Sequence, residues 1–279
     1  MAVTRTVVSA LVLAGGSLIV SAGPLAAVPN GGVLDGARAF ERADRSPHRI
    51  IDYDVFGDSI TAGYGVAAHL TWVAGIQYHL RVTEPPDVEH RFHNHAIDGQ
   101  AIITPSFLAR DPQRSSLVEH LRLFLAAPPR STPLADRTFV LVPSINELIV
   151  SDRGNSGSAR VARAVAGMRT AVDMLRVAGV PDARIIVLPM PPIGLQFASD
   201  YERDSTVDRP LASMIVGVNA GIADLLDVGR YPRLDPENDG LADASVFDDL
   251  VNGGRDGLHL DAYGHSLLAA DIEPRFGTD

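Results

Sequence analysis

Strand-like and helix-like segments alternate along most of this 279-residue chain, and that alternation restricts its fold more than any other feature. Strand-like segments fall near 51–57, 89–94, 138–143 and 184–189, and all but the second are largely apolar with β-branched residues. Longer segments near 60–82, 115–127, 158–179 and 206–227 have helical character, and a last helix is expected over roughly 261–271. Strands that alternate with helices in this way predict a parallel sheet covered by helices on both faces. A fifth strand is expected around Gly229 to Leu234, where its signal is weakest. Such a sheet opens its crevice at the carboxyl ends of its strands, so chemistry should be sought there.

One strand end stands out. Val55-Phe56-Gly57-Asp58-Ser59-Ile60-Thr61 reads as a buried strand that stops at a serine and turns into a helix running through Ala62 to Leu80. Backbone N–H groups at a helix start are unpaired and partly positive, and they can hold an oxyanion. Taken alone, Ser59 is an ordinary helix cap. As a nucleophile a serine hydroxyl is weak, so it requires a base, and the base requires an orienting group. Asp256-Gly257-Leu258-His259 supplies both, with a carboxylate three residues before an imidazole on a Gly-rich loop. Asp256 can accept from one ring nitrogen of His259 while the other faces Ser59.

These residues resemble the SGNH, or GDSL, hydrolases, which carry a serine in a Gly-Asp-Ser block near the start and an Asp-x-x-His block near the end. Two intermediate blocks are similar as well: Asn94-His95-Ala96-Ile97-Asp98-Gly99, which ends on the family's glycine, and Ser144-Ile145-Asn146-Glu147, which contains its asparagine. Ser144 stands where the family has glycine and Glu147 where it has aspartate. Ser144 thus adds a side chain to that loop, and Glu147 adds a methylene to a group expected to brace it. The resemblance spans roughly residues 50 to 270 with the blocks in the family's order.

What the resemblance implies is a flavodoxin-like three-layer α/β/α sandwich with strand order 2-1-3-4-5. It also implies a serine ester hydrolase working through an acyl-enzyme. Ser59 would attack, His259 act as base and then acid, and Asp256 orient His259. The N–H groups of Ser59 and Gly99 with the side-chain amide of Asn146 would form the oxyanion hole. No cofactor is implied and a monomer is expected. The substrate would be a small-molecule, lipid or glycan ester. Two other readings share the fold: a carbohydrate- or surface-binding protein without turnover, and an acyltransferase acting on exported glycans.

Composition narrows the alternatives. With 46% hydrophobic residues the chain can build one sizeable core, and the elements above fill it as a single domain. A net charge of -10 and a pI near 5.3 argue against nucleic acid and against an anionic membrane surface as partners. All 24 basic residues are arginine, which removes Schiff-base and P-loop lysine chemistry. The lack of cysteine removes thiol catalysis, thiolate zinc sites and disulfides.

The first 28 residues have the pattern of a secretory leader: Arg5 is their only charge, an apolar run follows from Val7 to Val20, and Ser21-Ala22-Gly23 and Leu25-Ala26-Ala27 offer small residues for cleavage. The rival reading is an uncleaved amino-terminal anchor, which Gly15, Gly16, Gly23 and Pro24 weaken. Export without stable membrane insertion is therefore the expectation. Residues 29–49 have linker composition, and the catalytic domain is expected over 50–279.

Other constellations carry less. His90, His93, His95 and His265 suggest a metal site, but no carboxylate-rich ligand set accompanies them, and His95 is expected at the rim of the cleft. Asp235-Pro236-Glu237-Asn238-Asp239-Gly240 resembles the start of a calcium loop, yet Val246 occupies the position of the bidentate glutamate, so an acidic turn is expected. Trp72 and Tyr78 are read as core residues. Pro189, Pro191 and Pro192 predict a stiff, extended exit from the fourth strand, after which Ile193, Leu195 and Phe197 either wall an acyl pocket or pack under a loop.

Overall fold

The computed structural model describes residues 49–105, 109, 116–126, 132–149, 156–204, 208–247 and 256–276. The leader of residues 1–28 and the linker up to residue 48 lie outside the described residues. Among the described residues four parallel strands form one sheet: β1 (Arg49–Phe56), β2 (Val88–Asn94), β3 (Thr138–Leu141) and β4 (Ile185–Val187), in the order β2-β1-β3-β4. The register pairs Val55 with Asn94 on one side and with Val140 on the other, and Val140 in turn with Ile186. The eight α-helices among the described residues are α1 (Ser59–Ala62), α2 (Trp72–Thr83), α3 (Leu117–Leu125), α4 (Asn146–Ile149), α5 (Gly157–Val177), α6 (Leu195–Asp204), α7 (Leu211–Gly221) and α8 (Ala262–Ile272).

Side chains alternate along a strand, so each strand feeds two cores. Phe56, Phe139, Leu141, Ile185 and Val187 face one cluster with Leu121 of α3, Met168 and Val172 of α5 and Ile215 of α7. Val55, Val140 and Ile186 face the other with Trp72 and Ile76 of α2, Leu268 and Ile272 of α8 and Phe276. The result is the α/β/α layering expected from the sequence, with the sheet buried on both faces. These elements belong to one compact unit within Ser46–Asp279.

Four expectations change. The helix predicted over 60–82 is broken: α1 ends at Gly63, whose left-handed backbone (φ 80°) allows the cap N–H to reach Ser59 O, and α2 starts anew where Thr71 Oγ1 accepts from Ala74 N–H. Trp72 is buried as expected, but Tyr78 lies on the outer face of α2 and is 71% exposed. The segment predicted helical over 206–227 holds α7, which begins after Pro210, a residue with no N–H to give to a helix interior. The helix before it, α6, begins at Leu195, directly after the extended segment that the prolines predict.

The fourth change concerns the sheet edge. Gly229 to Leu234 forms turns, not a fifth strand. Asp227 takes over the role of a neighbour at β4: its N–H donates to Val187 O at 3.0 Å and its carboxylate accepts from Val187 N–H at 2.8 Å. One side chain and one peptide thus satisfy the edge that a strand would have covered.

Candidate active site

The loops after β1, β2 and β3 meet at the carboxyl ends of their strands and are hydrogen-bonded to one another. Asp58 caps α1, its Oδ1 accepting from Ile60 N–H at 3.1 Å, which leaves Ser59 as the first helical residue. Ile97 N–H, from the loop after β2, donates to Gly57 O at 3.1 Å. Gly99 in that loop has φ 74°. Among the described residues, neither the Ser59 nor the Gly99 N–H donates to a backbone carbonyl.

The loop before α8 brings in the imidazole. His259 Nε2 lies 2.9 Å from Ser59 Oγ, and His259 Nδ1 lies 2.7 Å from Asp256 Oδ2. Asp256 also folds its own loop, with Oδ1 accepting from the N–H groups of Leu258 and His259, each at 2.9 Å. Gly257 makes that turn tight enough, with φ 61° and its Cα close against Phe197, where a side chain would collide with the Phe197 backbone. Burial opposes ionisation of Asp256, but the bonds from the His259 ring and from the two N–H groups outweigh it and hold the carboxyl down at about 2. An ionised Asp256 accepts only, so Nδ1 carries the proton and Nε2 presents a lone pair to the serine hydroxyl.

The loop after β3 is fastened from inside. Glu147 is fully buried, and its Oε2 accepts from three consecutive N–H groups, those of Ile102, Ile103 and Thr104, at 3.1, 2.9 and 3.0 Å. Its Oε1 accepts from Thr104 Oγ1 at 2.6 Å and from Arg163 Nε at 3.2 Å. The carboxylate therefore locks the start of α4 to the segment after Gly99, which is the bracing expected of this position. Ser144 Oγ lies 2.7 Å from Asp58 Oδ2 and 2.5 Å from Gln100 O. Asn146 Nδ2 lies 3.2 Å from Gln100 O, 3.2 Å from Ser144 Oγ and 3.5 Å from Asp58 Oδ2.

Ser59, His259 and Asp256 are thus drawn together, with Gly99 in the loop after β2 and Asn146 at the start of α4 beside them. Two participants were not legible in the sequence. Tyr64, in the break after α1, packs against the His259 ring in a tilted arrangement, with centroids 4.5 Å apart and planes at 42°, and stays 39% exposed, forming an aromatic wall beside the imidazole. Asp58 is the other: it is buried without a cation in contact, and burial pushes its carboxyl up despite hydrogen bonds from Ser144 and Ile60. The Gly-Asp-Ser string marked its position, but nothing local revealed its partners.

The remaining histidines are engaged elsewhere. His93 Nε2 meets Asp52 Oδ1 at 2.9 Å, His95 Nε2 meets Asp54 Oδ1 at 2.8 Å, and His90 Nδ1 meets Tyr53 Oη at 3.1 Å. His95 also packs on Phe56 and Phe124, so its ring serves an interior pair more than a cleft rim. His265 Nδ1 accepts from Trp72 N–H at 3.3 Å, helping to cap α2. Among the described residues no group of three or more His, Asp or Glu is arranged to hold a metal. Asp235 turns its carboxylate onto the N–H groups of Asp239 and Gly240 at 3.1 and 3.0 Å, and Val246 is buried, so this stretch is an acidic turn. Ile193 is buried in the core while Leu195 is exposed, which removes a continuous acyl wall from that segment.

No family model matches this chain, and no curated protein matches it. Solved structures do. A member of the lipolytic protein G-D-S-L family from Veillonella parvula DSM 2008 superposes with a TM-score of 0.51 at 18% identity, covering 81% of this chain and 98% of its own. The acetyl xylan esterase AlAXEase gives a TM-score of 0.51 at 15% identity, over 81% and 100% of the two chains. The lipase Lip_vut3 from a goat rumen metagenome gives 0.50 at 13% identity, over 81% and 97%. The likeness establishes the fold: this chain has the α/β fold of the lipolytic G-D-S-L proteins.

Proposed function

We propose that this protein is a serine ester hydrolase of the SGNH, or GDSL, type. The observation that carries the reading is the continuous run of contacts from Ser59 Oγ to His259 Nε2 at 2.9 Å and from His259 Nδ1 to Asp256 at 2.7 Å. Ser59 Oγ attacks the acyl carbon as its proton passes to Nε2, and Asp256 stabilises the imidazolium that results. The carbonyl oxygen, now negative, is received by the N–H groups of Ser59 and Gly99 and by the Asn146 amide. Each such donor is worth on the order of a hundredfold or more in rate. His259 then gives its proton to the departing alcohol, which leaves an acyl-Ser59 ester. Water then attacks the acyl carbon while losing a proton to Nε2, and that proton returns to Ser59 Oγ as the Oγ–acyl bond breaks and the acid is released.

The pattern of residues 1–28 supports export, followed by a linker over 29–49 and a catalytic domain over 50–279. No helix among the described residues is long and apolar enough to cross a membrane. The substrate class that fits is an uncharged or cationic carboxylic ester, given the net charge of -10. Turnover of a short acyl nitrophenyl ester tests the reading. Ser59→Ala is expected to reduce kcat at least about a thousandfold with an unchanged melting temperature; full activity in that variant sinks the mechanism.

A further inference from the structure

We propose that Asp58 works as a neutral carboxylic acid that donates its proton to Ser144 Oγ, and that this proton order releases the Asn146 amide toward the reacting ester oxygen. The inference rests on the ester-hydrolase reading of the Ser59 site and deepens it. Asp58 and Ser144 are positioning residues in this scheme, acting through Asn146.

Three oxygens stand in a row, Asp58 Oδ2, Ser144 Oγ and Gln100 O, with separations of 2.7 and 2.5 Å. Both are hydrogen-bond distances between oxygens, so each contact needs a proton between its atoms. The serine hydroxyl supplies one and the peptide carbonyl none. The second must come from Asp58. With Asp58 ionised, the hydroxyl satisfies one neighbour and leaves the other contact as two lone pairs pressed together. With Asp58 neutral, the row reads Asp58 O–H to Ser144 Oγ, then Ser144 O–H to Gln100 O.

The surroundings agree with that state. Asp58 is 1% exposed, and the groups facing it from its own loop and from the loop after β3 are uncharged: the N–H groups of Ile60 and Ile145, the Ser144 hydroxyl and the Asn146 amide. From the third side, the 256–259 loop, the titratable group that faces it is His259. None of these is a fixed cation, and burial pushes the carboxyl up.

The consequence falls on Asn146. Ser144 Oγ has two lone pairs, and in the neutral-acid arrangement they accept from Asp58 O–H and from Asn146 N–H, the latter at 3.1 Å. Nothing on that oxygen is then left for Asn146 Nδ2. One Nδ2 proton goes to Gln100 O at 3.2 Å, and the other is free to meet an oxyanion. An ionised Asp58 would instead draw the amide toward itself. Ser144, which stands where the resembling family has glycine, thereby gains a role as the link that carries Asp58's proton order to the Gln100 carbonyl.

The experiment compares kcat and KM for a short acyl nitrophenyl ester in Asp58→Ala, Asp58→Asn and Ser144→Ala, all in the full chain and each checked by thermal melting. Asn keeps a donor toward Ser144 and an acceptor toward Ile60. Asp58→Ala is expected to lose roughly a hundredfold in kcat with little change in KM, and Asp58→Asn to recover most of that loss. Ser144→Ala is expected to lower kcat about tenfold or more, again with KM nearly constant. Equal losses in Asp58→Asn and Asp58→Ala overturn the proposal. Should Asp58→Asn not fold, infrared spectra of the wild-type protein carrying isotope-labelled aspartate decide: a neutral-acid carbonyl band at neutral pH is expected, and its absence overturns the proposal. Ser59→Ala measured alongside separates the claims. If it keeps turnover the site reading fails; if it is inactive while Asp58→Asn behaves as Asp58→Ala, the proton order alone fails.

Discussion

Asp54 and Asp58 stand four residues apart at the end of β1, both hidden from water, and the protein treats them in opposite ways. Asp54 is 0% exposed and receives Arg137 through Nε at 2.5 Å and Nη2 at 2.9 Å, with His95 on its other side. Burial opposes its charge, yet those bonds and the guanidinium prevail and its pKa is lowered. Asp58 has the same burial and no cation, and its pKa is raised. Burial by itself therefore does not set the charge of a carboxyl; the presence of a counter-charge does. The paired aspartate serves the fold, tying β1 to the residue that precedes β3 and to the end of β2. The unpaired one serves the loops around Ser59.

Removing the cation should break this contrast most forcefully. Arg137→Ala strands Asp54, and Asp52 at 3.7 Å from Arg137 Nη1, as buried charges, and is expected to cost about 3–5 kcal/mol in urea unfolding. A loss below about 1 kcal/mol would show that Asp54 is not held ionised by Arg137.

A somewhat smaller effect is expected from acid. Burial lowers the His265 pKa from 6.5 to about 4, so the folded protein keeps this ring neutral while the unfolded chain binds a proton. Between pH 6.5 and 4 the unfolded state holds more protons, and stability must fall as pH falls, by roughly 3 kcal/mol across the window. Asp256 contributes below that range, since its carboxyl titrates near 2 when folded and its stabilising effect is lost only as pH falls under 3.8. Urea unfolding at pH 7, 5.5 and 4.5 of wild type and His265→Asn tests the assignment. The variant should show a shallower decline; parallel curves would assign the acid sensitivity to another group.

The smallest of the three sharpens the comparison with a carboxylate buried near the site yet joined to Arg163. Glu147→Gln keeps the shape but removes the charge that gathers the N–H groups of Ile102, Ile103 and Thr104. About 2 kcal/mol of stability should be lost. Because this side chain ties two site loops together, kcat should fall about tenfold with KM less affected. Unchanged kcat in the folded variant would reduce Glu147 to a purely structural brace.

The sequence exposed those parts of the molecule whose cause is local. Three of the four described strands and most helices follow from apolar runs and caps. Asp256 and His259 could be paired on paper because three residues on a Gly-containing loop bring them within reach of each other. Ser59 was marked by an abrupt strand end. What stayed hidden depends on distant partners. Asp54 and Arg137 are 83 residues apart, and neither residue signals the other. The break after α1 depends on Gly63 and Thr71 acting as caps, although each also fits inside a continuous helix; without the break Tyr64 would not reach His259. The turns at Gly229 to Leu234, where a strand is expected, have the same origin, since a single aspartate, Asp227, satisfies the Val187 edge of β4.

The central claim is that the Ser59 hydroxyl is activated by His259, and covalent capture tests it most directly. A fluorophosphonate added to the folded wild-type protein should yield one adduct, located on Ser59 by mass spectrometry, and His259→Ala should abolish it. No adduct in folded wild-type protein, or labelling of Ser59 undiminished in His259→Ala, would contradict the account.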